Sequence, residues 1–253
     1  MIDFHTHILP AIDDGSRSLE ESIAIFKQQH KAGVQAIVAT PHFYPDNKLE
    51  EFLVRRDLAA EQLEQALQAE GLTNRVQLKK GAEVLLSVDT WKMENLEALC
   101  ITGTKYILLE MPYSRWSEWV YTSVQNIIDN RKLIPIIAHV ERYDTVLENP
   151  NQLLRFIEMG AFLQMNTYSL QKESSKQKLA HKLLKHHMIH ILGSDVHREK
   201  GFIPITEGYK LIELKHGEQL VKAMLQIGEG IYKGEDVKPL EPTPLKKRFG
   251  IWF

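Results

Sequence analysis

The sequence predicts a single α/β domain built as a barrel of parallel strands with intervening helices. Seven short apolar runs begin near residues 2, 34, 76, 105, 133, 161 and 189, a spacing of roughly 28–42 residues that matches one strand-plus-helix unit each. Six of the seven end in His, Glu or Asp, the repeated delivery of reactive groups at strand ends that marks a β/α barrel enzyme. The 253-residue length suits one such barrel, typically about 250 residues.

Ile2-Asp3-Phe4-His5-Thr6-His7 opens as a strand. Side chains alternate along extended backbone, so His5 and His7 project from the same side and can close on one ion. Residues 8–15 then turn, because Pro10 and Asp13-Asp14-Gly15 disfavour helix, and they carry two carboxylates within reach of the histidines. Ser18 and Glu21 form a capping-box pattern, and Ile23, Ile25 and Phe26 recur at helical spacing up to Gly33. Residues 34–40 read as the second strand, ending in Pro41-His42, and 49–70 as a long amphipathic helix closed by Gly71. Strand 76–84 carries Glu83 near its end, 87–99 reads as a short helix, and strand 106–110 ends in Glu110 before Pro112. Helix 116–130 and strand 133–138 lead to His139-Val140-Glu141-Arg142. A helix over 150–160, a strand over 161–166, a helix over 170–187 and a strand over 189–192 bring the chain to Gly193-Ser194-Asp195-Val196-His197. Two further helices close the body, and the tail from about residue 239 contains Pro239, Pro242 and Pro244. Without a linker, low-complexity block or repeat, residues 1–253 read as one domain with a short tail over 239–253.

Composition narrows the function. A chain that is 43% hydrophobic and 25% charged, with formal charge −2, has no general attraction to nucleic acid or membrane, so charge selectivity must be local. Cys100 is alone, which excludes an intrachain disulfide and suits a reducing cytoplasm. No apolar run reaches membrane-spanning length, and no basic segment followed by a hydrophobic one signals export. Cys100 is followed by Ile-Thr-Gly-Thr-Lys-Tyr with no closing arginine, against thiolate-based phosphatase chemistry. G-x-x-x-x-G-K-S/T, H-E-x-x-H and G-x-S-x-G do not occur.

A lone H-x-H says little, but Asp195-Val196-His197 repeats its spacing at the last strand, which neighbours the first in a closed barrel. Buried carboxylates need partners, so this recurrence reads as a site rather than core. With Asp14 the candidate ligands are His5, His7, Asp14, His42, Glu83, Glu110, His139, Asp195 and His197. Nitrogen and carboxylate donors without thiolate suit Mn, Fe, Zn or Mg, and the set is large enough for two or three ions. Three divalent ions against four carboxylates leave about +2, which favours an anionic substrate, naturally a phosphate, attacked by a metal-activated hydroxide. Arg142 offers paired hydrogen bonds to such a phosphate, with a surface arginine as the plain alternative. His30, His181, His186, His187, His190 and His216 read as packing or solvent-facing residues. Phe43, Tyr44, Tyr113 and Trp116 lie just past ligand positions, where they line an aromatic entrance or anchor loops. The tail Lys246-Lys247-Arg248-Phe249-Gly250-Ile251-Trp252-Phe253 mixes cations with aromatics, suited to docking on a partner or packing on the body.

Met1-Ile2-Asp3-Phe4-His5-Thr6-His7-Ile8-Leu9-Pro10, Asp13-Asp14-Gly15, Ala39-Thr40-Pro41-His42, Ile136-Ile137-Ala138-His139-Val140-Glu141-Arg142 and Ser194-Asp195-Val196-His197 together resemble the PHP (polymerase and histidinol phosphatase) superfamily. The chain is most similar to its bacterial protein-tyrosine phosphatases of capsule and exopolysaccharide synthesis, over nearly its whole length. The resemblance implies a distorted seven-stranded (β/α) barrel, TIM-barrel-like, with a trinuclear and usually manganese-dependent centre. By motif, His5, His7, Glu83 and Asp195 would hold one ion; Glu83 would bridge to a second held by Glu110 and His139; Asp14, His42 and His197 would hold the third. Arg142, His42 and Asp195 are the expected catalytic positions and Arg142 the phosphate ligand. The family's second arginine, after the Asp-x-His motif, is replaced here by Phe202, leaving Arg198 or Lys200 as substitutes in substrate binding. The implied substrate is a phosphotyrosine protein, the tyrosine-rich tail of a bacterial tyrosine kinase. A small-molecule phosphatase, such as one for histidinol phosphate, and a non-catalytic module of the same fold are the alternatives.

Overall fold

The computed structural model describes residues 1–72, 75–248 and 251–252. Strand β1 (Ile2–Thr6) leads to helix α1 (Leu19–Lys31), strands β2 (Ala36–Ala39) and β3 (His42–Phe43), and helix α2 (Leu49–Ala69). Strands β4 (Gln77–Lys80), β5 (Glu83–Leu85) and β6 (Tyr106–Glu110), helix α3 (Glu118–Arg131) and strand β7 (Ile134–Ile137) follow. Then come α4 (Asp144–Glu148), α5 (Gln152–Glu158), β8 (Phe162–Asn166), α6 (Gln177–Lys185), β9 (Ile191–Gly193), α7 (Ile205–His216) and α8 (Glu218–Lys233). The tail ends in a small antiparallel pair, β10 (Lys247–Arg248) and β11 (Ile251–Trp252).

All barrel strands pair in parallel, in the orders β1-β2-β4 and β3-β5-β6-β7-β8-β9. These form one curled sheet. The Gly81 N–H donates to Ala39 O (2.8 Å) and the Glu83 N–H to Pro41 O (3.0 Å), so β2 with β3, and β4 with β5, are two strands each broken once. Pro41 brings no N–H to the ladder, which accounts for the first break. Counted this way, seven strands go round the barrel. It closes where the Asp195 N–H donates to His5 O (2.8 Å) and the His7 N–H to Val196 O (3.0 Å).

Alternation divides the apolar residues into two sets. Phe4, Val38, Leu108, Ile136, Phe162 and Ile191 pack together inside the barrel, whereas Ile37, Ile107, Ile137, Leu163 and Leu192 belong to the core beneath the helices. Ile227 and Ile231 of α8 join the inner set and cover its N-terminal end, leaving the C-terminal end for the polar residues. The register of β1 slips between Asp3 and Thr6, which lets Phe4 enter the inner cluster while His5 and His7 still turn into the upper end.

Two predicted elements differ and one helix is additional. The helix expected over 87–99 is two 3-10 turns, Thr90–Lys92 and Leu96–Leu99, separated by Asn95 in the left-handed region (φ 55°). The helix expected over 170–187 begins only at Gln177, because Ser174 Oγ accepts the Lys176 N–H (3.2 Å) and supports a turn instead. Helix α4 was not predicted. The tail packs on the body: the Leu245 N–H donates to Asn151 Oδ1 (2.8 Å), and Trp252 Nε1 to Glu148 O (2.9 Å). Phe249, Gly250 and Phe253 of its basic-aromatic sequence lie outside the described residues. Among the described residues no helix is long and apolar enough to cross a membrane.

His190 is a core histidine whose Nδ1 accepts the Leu163 N–H (2.8 Å), and burial pushes its pKa down to about 3. The unfolded imidazole titrates near 6.5, so between about pH 6.5 and 3 the unfolded chain binds the extra proton and stability falls as pH falls. This group should cost about 2 kcal/mol between pH 7.5 and 5. Urea unfolding in chelator should therefore show His190→Asn losing about 2 kcal/mol less than the parent over that interval; equal losses would refute the assignment.

Candidate metal centre

The strand ends gather the expected ligands at one place. His5 Nε2 and His7 Nε2 lie 3.1 Å apart, and Glu83 Oε2 stands 3.1 and 3.2 Å from them. Asp195 Oδ1 is 3.5 and 3.4 Å from the same two nitrogens. Glu83 Oε1 contacts His139 Nε2 at 2.8 Å, with Glu110 Oε1 3.7 Å from that nitrogen. On the other side, Asp14 Oδ1 is 3.5 Å from His42 Nε2 and 3.4 Å from His197 Nε2. Three sets could each hold an ion: His5, His7 and Glu83; His42, Glu83 and Glu110; and His7, Asp14, His42 and His197. Glu83 is shared by two sets, as the motif assignment implied, whereas His7 and His42 are each shared by two sets where it gave them one.

The donor chemistry fits divalent ions. Donors placed about 2.0–2.2 Å from one ion sit roughly 3–3.6 Å apart, the spacing that His5, His7, Glu83 and Asp195 display. His42 Nδ1 and His139 Nδ1 are buried without a hydrogen-bond partner among the described residues; His42 Nδ1 lies 3.1 Å from Glu83 Oε2 but outside hydrogen-bond geometry. A buried ring nitrogen without a partner is costly, and for His42 Nδ1 an ion shared with Glu83 would satisfy it.

The backbone is bent to serve this cluster. His139 (φ 30°) and Asp195 (φ 53°) leave their strands with positive φ, a conformation costing roughly 1–2 kcal/mol in a residue with a Cβ. Asp13 is not turned to the ligand cluster. Its Oδ2 accepts from His7 Nδ1 (2.7 Å) and the His42 N–H (3.0 Å), while Asp14, 68% exposed at its side chain, faces the centre. With Nδ1 donating to Asp13, His7 keeps the Nε2 lone pair for an ion. His197 is fixed likewise, its Nδ1 donating to Asp195 O (2.9 Å).

Charges follow from packing. Burial opposes the charged forms throughout, yet Glu83 and Asp195 outweigh it and lift the His5 pKa to about 9, while the surrounding imidazoles hold Glu83 and Asp195 well below the usual carboxylate range. Glu110 moves the other way, raised by burial and by the neighbouring Glu83 charge. Hydrogen bonds from His7, His42 and Gly15 offset burial and bring Asp13 down to about 2.

Beside the cluster opens a cleft of about 590 Å³ lined by Arg142, Asn166, Ser169, Arg198, Lys200 and Phe202, among others. Arg142 Nη1 donates to Asp195 Oδ2 (3.0 Å), and its guanidinium lies 5.6 Å from the Tyr113 ring centre. Arg198 donates through Nη1 to Gly15 O and to His197 O (2.9 Å), tying the Asp14 loop to the last strand. Of the four aromatic candidates, Phe43 and Trp116 are buried in the core, whereas Tyr44 stacks on His42 (5.4 Å) and half-exposed Tyr113 lies beside His139 (6.3 Å).

Gln164, Asn166 and Glu141 were not singled out from sequence. Gln164 and Asn166 are two apart on a strand that otherwise reads apolar, the same spacing as His5/His7 and Asp195/His197, and that alternation was the available signal. Gly193 makes room for them. A Cβ there would stand 2.5 Å from His5 Cβ and 2.7 Å from Gln164 Nε2. Gly193→Ala should destabilise the fold by about 1–3 kcal/mol and lower bound metal, as thermal unfolding and elemental analysis would read; an unchanged melting temperature would refute the close packing.

Comparison with known proteins assigns the family. Residues 1–228 match the family model described as capsular polysaccharide synthesis, CpsB/CapC. The tyrosine-protein phosphatase YwqE of Bacillus subtilis (strain 168) is 31% identical, with 100% of both chains covered. The tyrosine-protein phosphatase CpsB of Streptococcus pneumoniae is 30% identical over 88% of this chain and 94% of its own. A solved structure from the work on YwqE and CpsB, described as unique metal-dependent tyrosine phosphatases, aligns with TM-score 0.87 at 27% identity, covering 98% of this chain and 100% of that one. The chain belongs to the CpsB/CapC family of capsular polysaccharide synthesis.

Proposed function

We propose that this protein is a metal-dependent phosphatase acting on phosphotyrosine in proteins, in the cytoplasm, with a bacterial tyrosine kinase of capsule or exopolysaccharide synthesis as its partner. The observation that carries the reading is the gathering of five imidazoles and four carboxylates beside the Arg142 guanidinium at one end of the barrel. His5, His7, Asp14, His42, Glu83, Glu110, His139, Asp195 and His197 would hold two or three ions, manganese first among Mn, Fe, Zn and Mg. When bound, such ions lower the pKa of water and offset charge on the phosphoryl oxygens.

The chain's own residues do the rest. Arg142 is held by Asp195 through one nitrogen, which leaves its remaining N–H groups for the phosphoryl oxygens. Asp13 and Asp195 O keep the His7 and His197 rings turned with Nε2 inward. Tyr44 and Tyr113, both partly exposed, stand beside His42 and His139 and would offer faces to an aryl ring. A phenol, with pKa about 10, leaves readily, so a strong general acid is unnecessary.

The test is hydrolysis of a phosphotyrosine peptide and of histidinol phosphate by the purified protein with Mn, Mg, Zn or Fe. Peptide turnover that a chelator abolishes and re-added metal restores is expected. Preference for histidinol phosphate, or inertness with every ion, would overturn the reading.

A further inference from the structure

We infer that Gln164 and Asn166 are positioning residues that impose the ligating orientation on His5 and Asp195 together, through a relay that starts at a main-chain N–H. The inference rests on the proposed metal centre. Gln164 Oε1 stands 2.8 Å from the His139 nitrogen, and a main-chain N–H can only donate. That contact fixes which end of the Gln164 amide is oxygen, an assignment that an isolated amide would leave open.

Every later contact is then determined. His5 Nδ1, 3.2 Å from the same oxygen, must be the donor, so neutral His5 carries its proton on Nδ1 and presents the Nε2 lone pair toward Glu83 and Asp195. Gln164 Nε2 donates to Asn166 Oδ1 (2.9 Å), which turns the Asn166 amide nitrogen outward to donate to Asp195 Oδ2 (2.7 Å). With Arg142 on that same oxygen at 3.0 Å, Asp195 Oδ1 is the atom left facing His5 and His7. One amide pair thereby sets a histidine tautomer and a carboxylate rotamer whose ligating atoms, His5 Nε2 and Asp195 Oδ1, stand 3.5 Å apart.

The relay is built into the fold. Gln164 is fully buried and Asn166 nearly so, and their places on β8 are held by the Glu141 carboxyl, whose Oε1 accepts the Asn166 N–H (3.0 Å) and the Ser169 hydroxyl (2.7 Å). Gly193 leaves the space that Gln164 and His5 fill. A glutamine chosen only to fill volume would not need three polar partners, nor a neighbouring amide to carry its orientation onward.

The experiment is Mn²⁺ binding by competition with a chelating dye, using the full chain. Gln164→Leu should weaken the tightest Mn²⁺ by about 10–100-fold. Gln164→Glu, which keeps both acceptor contacts, loses the donor to Asn166 and adds a buried charge, should weaken it less. Asn166→Leu should also fall between Gln164→Leu and the parent. Circular dichroism and thermal midpoints measured in chelator separate ion positioning from folding: the inferred role leaves the metal-free midpoint of Asn166→Leu near the parent's while its Mn²⁺ affinity falls. Parental affinity in all three variants, or affinity losses that merely track metal-free stability, would overturn the inference. The expected ranking in a protein that hydrolyses no phosphotyrosine peptide would support the relay while removing the phosphatase reading.

Discussion

Glu83→Gln should lower phosphotyrosine hydrolysis by at least about 10³-fold, equivalent to roughly 4 kcal/mol of lost transition-state stabilisation, and should remove at least one ion per chain. No other carboxylate is so placed. Its two oxygens reach His5, His7, His42 and His139 at 3.1, 3.2, 3.1 and 2.8 Å. The amide retains the volume, so packing of a residue that is fully enclosed is preserved, but half of its donor capacity becomes N–H and turns against the lone pairs of the imidazoles. Two neighbouring candidate sets lose their shared anion at once. Elemental analysis and steady-state kinetics on the same preparation check this. Near-parental metal content with more than about a tenth of the activity would mean that the clustered histidines serve another purpose. His30→Gln on α1, outside the cluster, should change neither quantity and serves as the control.

How far the sequence disclosed this site depends on the kind of residue involved. A Glu or His at the end of an apolar run is conspicuous because burial is expensive for it, and every such residue from His5 to His197 comes to one end of the barrel. Neutral amides carry no such mark. Gln164 and Asn166 become notable only when the His139 N–H and Asp195 Oδ2 are seen at their ends, contacts that span 25 and 29 residues of sequence. The choice between Asp13 and Asp14 was beyond periodicity for the same reason, since it turns on which carboxylate meets His7 Nδ1 and which is left for His42 and His197. Strand positions were legible from apolar runs, but the breaks at Thr40-Pro41 and Gly81-Ala82 depend on register with neighbouring strands. The region 87–99 has helical composition without a helix because Asn95 takes up positive φ between its two short turns. Arg142 was an open choice between surface and site; its contacts with Asp195 and Tyr113 place it at the cluster.

Arg142→Ala should lower kcat/KM for a phosphotyrosine peptide by about 10²–10⁴-fold with metal content unchanged, because two charge-assisted hydrogen bonds are each worth roughly 1.5–3 kcal/mol. The loss of one contact to Asp195 is tolerable. Asp195 Oδ2 still accepts from Asn166 Nδ2 at 2.7 Å, so the carboxylate keeps its orientation without the guanidinium. Arg142→Lys should restore only part of the activity, since an ammonium brings charge to the cleft but not the planar fork that spans two phosphoryl oxygens. Inorganic phosphate provides a second readout: as a competitive inhibitor it should weaken in the order parent, Arg142→Lys, Arg142→Ala. A surface arginine would leave both series flat. If Arg142→Ala instead lost metal in proportion to activity, its role would be confined to holding Asp195, and phosphate recognition would pass to Arg198 and Lys200, which line the same cleft.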